Sequence, residues 1–187
     1  MESQKERFSL TLQGLAKSGR QWDEAVPFRL LADVTFGDMD IESPFFSDMA
    51  WKGSLEPVAG QFVLTGFWQM TVPRRCGRCN VEFACDMQNE VHVIFVLGQP
   101  KQDDAIELEL TEESCEQEVI PAPGELHMLD VLREQFWLSW QPMVVCSEDC
   151  KGLCLQCGVD LNHEVCDCHG KVKENPFAAL KDFKFDA

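Results

Sequence analysis

The run Phe62-Val63-Leu64-Thr65-Gly66-Phe67-Trp68-Gln69-Met70-Thr71-Val72-Pro73-Arg74-Arg75-Cys76-Gly77-Arg78-Cys79-Asn80-Val81-Glu82-Phe83-Ala84-Cys85-Asp86-Met87 reads as two strands joined at a pair of cysteines. Phe62, Leu64, Gly66, Trp68, Met70 and Val72 alternate with Val63, Thr65, Phe67, Gln69 and Thr71, the period of two that a β-strand imposes. Beyond the cysteines, Val81, Phe83, Cys85 and Met87 resume the alternation, and Val91 to Leu97 prolong it. Cys76 and Cys79 therefore stand at the tip of a long antiparallel hairpin. A Cys-x-x-Cys there aims two thiolates at one point with little strain, as the knuckle of a zinc ribbon requires.

Upstream, Val58-Ala59-Gly60-Gln61 supplies a turn from a preceding strand around Trp51 to Glu56. The first 48 residues carry weaker patterns, with short strands expected near Phe8 to Leu12 and Phe28 to Thr35. Downstream, Ile106, Leu108 and Leu110 alternate with Glu107 and Glu109, which predicts a charged edge strand over Ala105 to Leu110. Pro121-Ala122-Pro123-Gly124 breaks the chain, and Leu129, Leu132, Phe136 and Trp140 then take helical spacing from Glu125 to Trp140, stopped by Pro142. Asn175 and Pro176 open a short helix through Lys181, with Asn as cap and Pro in the first turn. The sum is an α+β protein: an antiparallel sheet with the long hairpin, one long helix and a cysteine-rich C-terminal segment. Residues 1–48 would pack on a core of 49–145, followed by a zinc-binding cluster at 146–170 and a tail at 171–187.

Eight of the ten cysteines fall in close pairs: Cys76 with Cys79, Cys146 with Cys150, Cys154 with Cys157, and Cys166 with Cys168. That is enough thiolate for one or two structural zinc ions. Two partitions are open. In the sequential one, Cys154, Cys157, Cys166 and Cys168 close one site, since residues 158–165 are enough chain to turn back; Cys76, Cys79, Cys146 and Cys150 form the other. The alternative joins Cys146, Cys150, Cys154 and Cys157 and leaves Cys76 and Cys79 to Cys166 and Cys168. His163 and His169 are near enough in sequence to replace a cysteine, though solvent-facing positions suit them better. Cys85 and Cys115 have no close partner and read as bystander thiols. Redox use of Cys76 and Cys79 is disfavoured, because redox pairs sit where a helix N-terminus lowers the thiol pKa, and these lie between strands.

At 187 residues and 45% hydrophobic content, with thirteen Phe and five Trp, the chain can bury a real core. Its formal charge is −16, and two four-thiolate zinc sites would each add about −2. Nucleic acid is a poor default partner for such a surface. Residues 102–132 hold ten acids and no Lys or Arg, whereas Arg74, Arg75 and Arg78 surround the first knuckle. No stretch approaches the ~18 apolar residues of a membrane span, and Met1-Glu2-Ser3-Gln4-Lys5 opens no secretory pattern, so a cytosolic chain with reduced thiols is expected. Phosphate-loop, His-Glu-x-x-His and Gly-x-Ser-x-Gly motifs are missing, and His92 and His127 stand apart from the other two histidines. No catalytic residue is proposed from the sequence.

The run Val145-Cys146-Ser147-Glu148-Asp149-Cys150-Lys151-Gly152-Leu153-Cys154-Leu155-Gln156-Cys157-Gly158-Val159-Asp160-Leu161-Asn162, followed by Cys166-Asp167-Cys168, resembles the C-terminal signature of the YceD family. Cys76-Gly77-Arg78-Cys79 upstream and Asn175-Pro176-Phe177-Ala178-Ala179-Leu180-Lys181 in the tail stand in the order that family has. The resemblance covers roughly residue 50 to the end. Leu155 departs from it, where proline would follow Cys154. The resemblance implies a large-subunit ribosome-biogenesis factor that supports 23S rRNA levels, and the Met1 start favours a bacterial cytoplasmic member over a plastid precursor. It brings no catalytic residue with it.

Combined with the charge, this implies that a basic ribosomal protein or an rRNA-processing factor docks on the acidic face that includes Glu107, Glu109, Glu112 and Glu113. The competing reading is direct rRNA contact, with Arg74, Arg75 and Arg78 on phosphates. A third is a zinc-stabilised interaction module unrelated to ribosomes.

Overall fold

A computed structural model describes residues 7–31, 43–98 and 117–168. The expected edge strand at 105–110, the acidic face at Glu107, Glu109, Glu112 and Glu113, Cys115, His169 and the tail helix at 175–181 lie outside the described residues. The elements run β1 (Ser9–Thr11), β2 (Arg20–Val26), the helical turn α1 (Phe28–Leu31), β3 (Met49–Val58), β4 (Gln61–Arg75), β5 (Glu82–Leu97), β6 (Gln117–Ile120), β7 (Glu125–His127) and α2 (Met128–Leu138).

The main sheet has the order β2-β3-β4-β5-β6, antiparallel throughout except for the parallel pair β5–β6. Ala59 and Gly60, with φ of 50° and 86°, make the two-residue turn between β3 and β4, where positive φ at both positions matches the twist of a tight hairpin. The β4–β5 hairpin runs in continuous register from Phe62 opposite Phe95 to Arg75 opposite Glu82. Its even-numbered β4 residues Leu64, Trp68, Met70 and Val72 are buried, so one face carries the core. Trp51 pairs directly with Trp68 on that face. Its ring lies over Gly66, where a Cβ would meet a ring carbon at 2.3 Å, so the missing side chain makes room for the indole.

Helix α2 closes the core with Met128, Leu129, Val131, Leu132 and Phe136, and the Phe136 ring centre is 6.0 Å from that of Trp68. Among the described residues the architecture is thus mostly antiparallel sheet with few helices. The helix is 11 residues long and starts three positions later than the periodicity predicts. Glu125, Leu126 and His127 pair instead with Thr11, Leu10 and Ser9 as a two-stranded sheet, a non-local pairing that overrides local helix spacing. The strand expected at Phe28 to Thr35 is corrected as well: its described part, Phe28–Leu31, is a helical turn. Pro27 precedes it, and the Phe28 N–H donates to Asp48 Oδ1 at 3.1 Å, so the first turn is capped rather than extended. No helix among the described residues is long and apolar enough to cross a membrane.

Candidate metal centres

Strands β4 and β5 outrun the main core, and their tip carries the first knuckle. The Cys76 N–H donates to the Val81 carbonyl at 2.9 Å, and the Asn80 N–H donates to the Cys76 carbonyl at 2.9 Å. Asn80 has φ 60°, which closes the turn. The Arg78 N–H points at Cys76 Sγ at 3.4 Å. Cys154 to Val159 repeat this arrangement. The Cys154 N–H donates to the Val159 carbonyl at 2.8 Å, and Gly158, with φ 76°, donates to the Cys154 carbonyl at 2.9 Å. The Gln156 N–H faces Cys154 Sγ at 3.5 Å. The same backbone turn is therefore built twice, each time with amide donors aimed at the first sulfur.

The structure brings Cys76, Cys79, Cys146 and Cys150 together, and separately Cys154, Cys157, Cys166 and Cys168; within each group all four sulfurs lie within 4.8 Å of one another. This is the sequential grouping. Cys76 Sγ is 3.8 Å from Cys150 Sγ, and Cys79 Sγ is 3.7 Å from Cys146 Sγ. A tetrahedron with metal–sulfur distances of about 2.3 Å has edges of about 3.8 Å, whereas a disulfide needs about 2.05 Å. The donor set and its spacing fit a tetrahedral thiolate site, and each group could hold a metal ion.

Electrostatics agree with the geometry. Burial opposes ionisation of Cys76, but the backbone N–H groups of Cys79, Cys146 and Arg78 outweigh it and bring the thiol down to about 6. Cys146 is pushed up to about 12 by burial and by the neighbouring thiols. In the second group, backbone N–H groups of Cys157 and Gln156 bring Cys154 down to about 6, while the Cys157 thiol and burial push Cys168 up to about 12. One sulfur in each group thus ionises readily, while Cys79 and Cys146 in the first and Cys166 and Cys168 in the second are held protonated. A divalent cation at the centre removes that conflict, because it stabilises all the thiolates together.

The centres differ in setting. Cys76, Cys79 and Cys150 are buried and form a small core of their own with Phe83, Val145 and Cys146, while Cys157 is exposed. The first group ties the hairpin tip to the segment after α2, a link reinforced by the Gly77 N–H donating to the Val144 carbonyl at 2.8 Å. His163 lies outside both groups, with its Nε2 3.7 Å from Asp160 Oδ2.

The three arginines do not form one basic face. Arg74 is only 8% exposed. Its guanidinium stacks 3.6 Å above the Trp140 ring centre and donates to the Gln141 carbonyl; burial pulls its pKa down, with Cys85 opposing. Arg78 Nη1 donates to the carbonyls of Glu148 and Cys150 at 3.1 and 3.0 Å, clamping the loop of the first centre. Arg75 is exposed, 4.0 Å from Glu82. Sequence reading missed Asn162, whose Nδ2 reaches Cys150 Sγ at 3.5 Å. Its signal was the Asp160-Leu161-Asn162 turn, where the Asn162 N–H donates to Asp160 Oδ1 at 2.9 Å.

A mostly antiparallel sheet carrying two four-cysteine clusters defines a class of small proteins whose cysteine sites could each take a metal ion. Within that class the chain belongs to the YceD family, whose sequence model, described as large ribosomal RNA subunit accumulation protein YceD, matches residues 64–184. It is also 31% identical over 65 residues to the large ribosomal RNA subunit accumulation protein YCED homolog 1, chloroplastic, of Arabidopsis thaliana. That alignment covers 33% of this chain and 20% of the plant protein, so the chain matches about a fifth of its curated relative. No solved structure matches.

Proposed function

We propose that this protein is a non-catalytic, cytoplasmic factor that supports 23S rRNA accumulation and large-subunit assembly, built on two structural zinc ions. Its task is to hold a basic ribosomal protein or an rRNA-processing factor. The observation that carries this reading is membership of a family described by accumulation of the large ribosomal RNA. Zinc is the metal that all-cysteine tetrahedral donor sets suit, and four thiolates leave no coordination position for a reacting water, which favours a structural over a catalytic ion. The −16 charge favours a basic partner. Leu155 and Val165, 96% and 92% exposed beside ligand cysteines, offer apolar contact on the same chain. The engagement of Arg74 and Arg78 within the protein weighs against rRNA contact through three arginines.

The test is the ratio of 23S to 16S rRNA in the source cell lacking this gene, complemented with the wild type or with Cys76→Ser/Cys79→Ser. Recovery with the wild type alone is expected. A ratio that does not change when the gene is removed would overturn the ribosomal reading.

A further inference from the structure

Residues 150–153 run between the two centres and are held from both sides. Against the first knuckle, a Cβ on Gly152 would meet the Arg78 carbonyl oxygen at 3.0 Å, and the Leu153 N–H donates to that same oxygen at 3.1 Å. From the other side the Leu161 N–H donates to the Gly152 carbonyl at 2.9 Å, and Asn162 Oδ1 accepts the Lys151 N–H at 2.8 Å. Asn162 Nδ2 then points at Cys150 Sγ at 3.5 Å and is steadied by Asp160 Oδ1 at 2.7 Å. A ligand sulfur of the first centre thus takes a side-chain donor from the 160–162 turn. That turn lies on the loop between Cys157 and Cys166, whose two ends both belong to the second centre.

We propose that the two centres are coupled through Asn162: metal in the second centre holds the 160–162 turn, and that turn's amide steadies the Cys150 thiolate in the first. An amide N–H directed at a ligand sulfur fixes where that sulfur sits, so the sulfur leaves an ion it holds more slowly. With the second centre open, holding Asn162 in place costs backbone and side-chain entropy that metal closure otherwise removes. Linkage makes the effect reciprocal, so metal in the first centre also strengthens the second. The proposal rests on the reading that both clusters hold zinc.

The test follows zinc release from the full chain to a colorimetric chelator, with the Cys76→Ser/Cys79→Ser variant identifying which release phase belongs to which centre. Cys166→Ser/Cys168→Ser should free first-centre zinc about tenfold faster than the wild type, the scale of losing a group that orients a metal ligand. Asn162→Leu keeps the size of the side chain but has no amide donor for sulfur, and it brings no second carboxylate against Asp160 Oδ1. It should accelerate the same phase and shift the first-centre resonance in cadmium-113 NMR, whereas a purely structural role for Asn162 would leave that resonance in place. First-centre release within twofold of wild type in both variants, with two ions bound to the wild type, overturns the coupling and leaves the zinc reading standing. A wild-type chain that holds no zinc overturns both.

Discussion

Removing two ligands from each centre in turn separates their contributions to stability. The first centre joins Cys79 to Cys146, 67 positions apart. Treating the closed site as a cross-link, the loop-entropy relation gives about 4.4 kcal/mol at 25 °C. The second joins Cys157 to Cys166, nine positions apart, for which the same relation gives about 2.6 kcal/mol. Against a total stability of about 5–15 kcal/mol, the first loss is severe and the second moderate. The assay is urea unfolding of the zinc-loaded full chain, followed by tryptophan fluorescence, since Trp22, Trp51 and Trp68 lie in the core. With a urea slope of about 2–3 kcal/mol/M, Cys76→Ser/Cys79→Ser should lower the midpoint by roughly 1.5–2 M. Cys166→Ser/Cys168→Ser should lower it by roughly 0.9–1.3 M. A strong chelator added to the wild type, stripping both centres, should lower the midpoint by more than either variant does. Equal midpoints for the two variants, or a deeper fall for the second, would refute the reasoning, because they would mean that the long-range link carries no special weight.

Two further outcomes follow from the site geometry. Zinc binding at pH 7 should release at least two protons per ion, because Cys79 and Cys146 in one centre and Cys166 and Cys168 in the other are raised above the ordinary thiol value and still protonated there. Apparent affinity should therefore rise with pH and fall on acidification; calorimetry in buffers of different ionisation enthalpy reads the count, and no buffer dependence would contradict the assigned thiol states. Arg74→Leu should destabilise by about 1–2 kcal/mol through the lost stacking on Trp140 and the lost donor to the Gln141 carbonyl, while Arg75→Ala should stay within about 0.5 kcal/mol. Equal effects of the two changes in thermal unfolding would refute the distinction.

The hairpin is legible in sequence because its alternation is long and one face is buried. The burial of Arg74 is missed, because charge groups it with Arg75 and Arg78 although it continues the even series Phe62 to Val72 that faces the core, whereas Arg75 has the opposite parity. Strand β2 escapes notice because only Trp22 and Val26 of its seven residues are buried, too few to show a period. The start of α2 and the parallel pairing of β6 are set by partners far away in the chain, Ser9–Thr11 and Ile94–Leu97, which no local window contains. The grouping of the cysteines is non-local in the same way. Spacing identifies the pairs, but the fold decides which pairs meet.

The placement of the first centre follows from the length of the strands that carry it. Strands β4 and β5 have 15 and 16 residues, or about 50 Å each, well beyond the usual strand length of 5–6 residues. The apolar cluster at their tip is separate from the main core and consists of little more than Phe83, Val145 and the cysteines themselves. So small a cluster buries too little apolar area to hold the tip or to fix the chain after α2 against it. An ion held by the four thiols there would replace that missing core with coordination, and its binding would then contribute folding free energy to the tip. The basic residues at the knuckle have the same origin. Arg78 clamps the Glu148 and Cys150 carbonyls beside the first cysteine group, where four thiolates around a divalent ion would leave an excess charge of about −2, and Arg74 anchors the chain after α2 through Trp140. Two of the three arginines at the knuckle are thus accounted for by contacts within the protein, which leaves Arg75 alone of the three facing solvent.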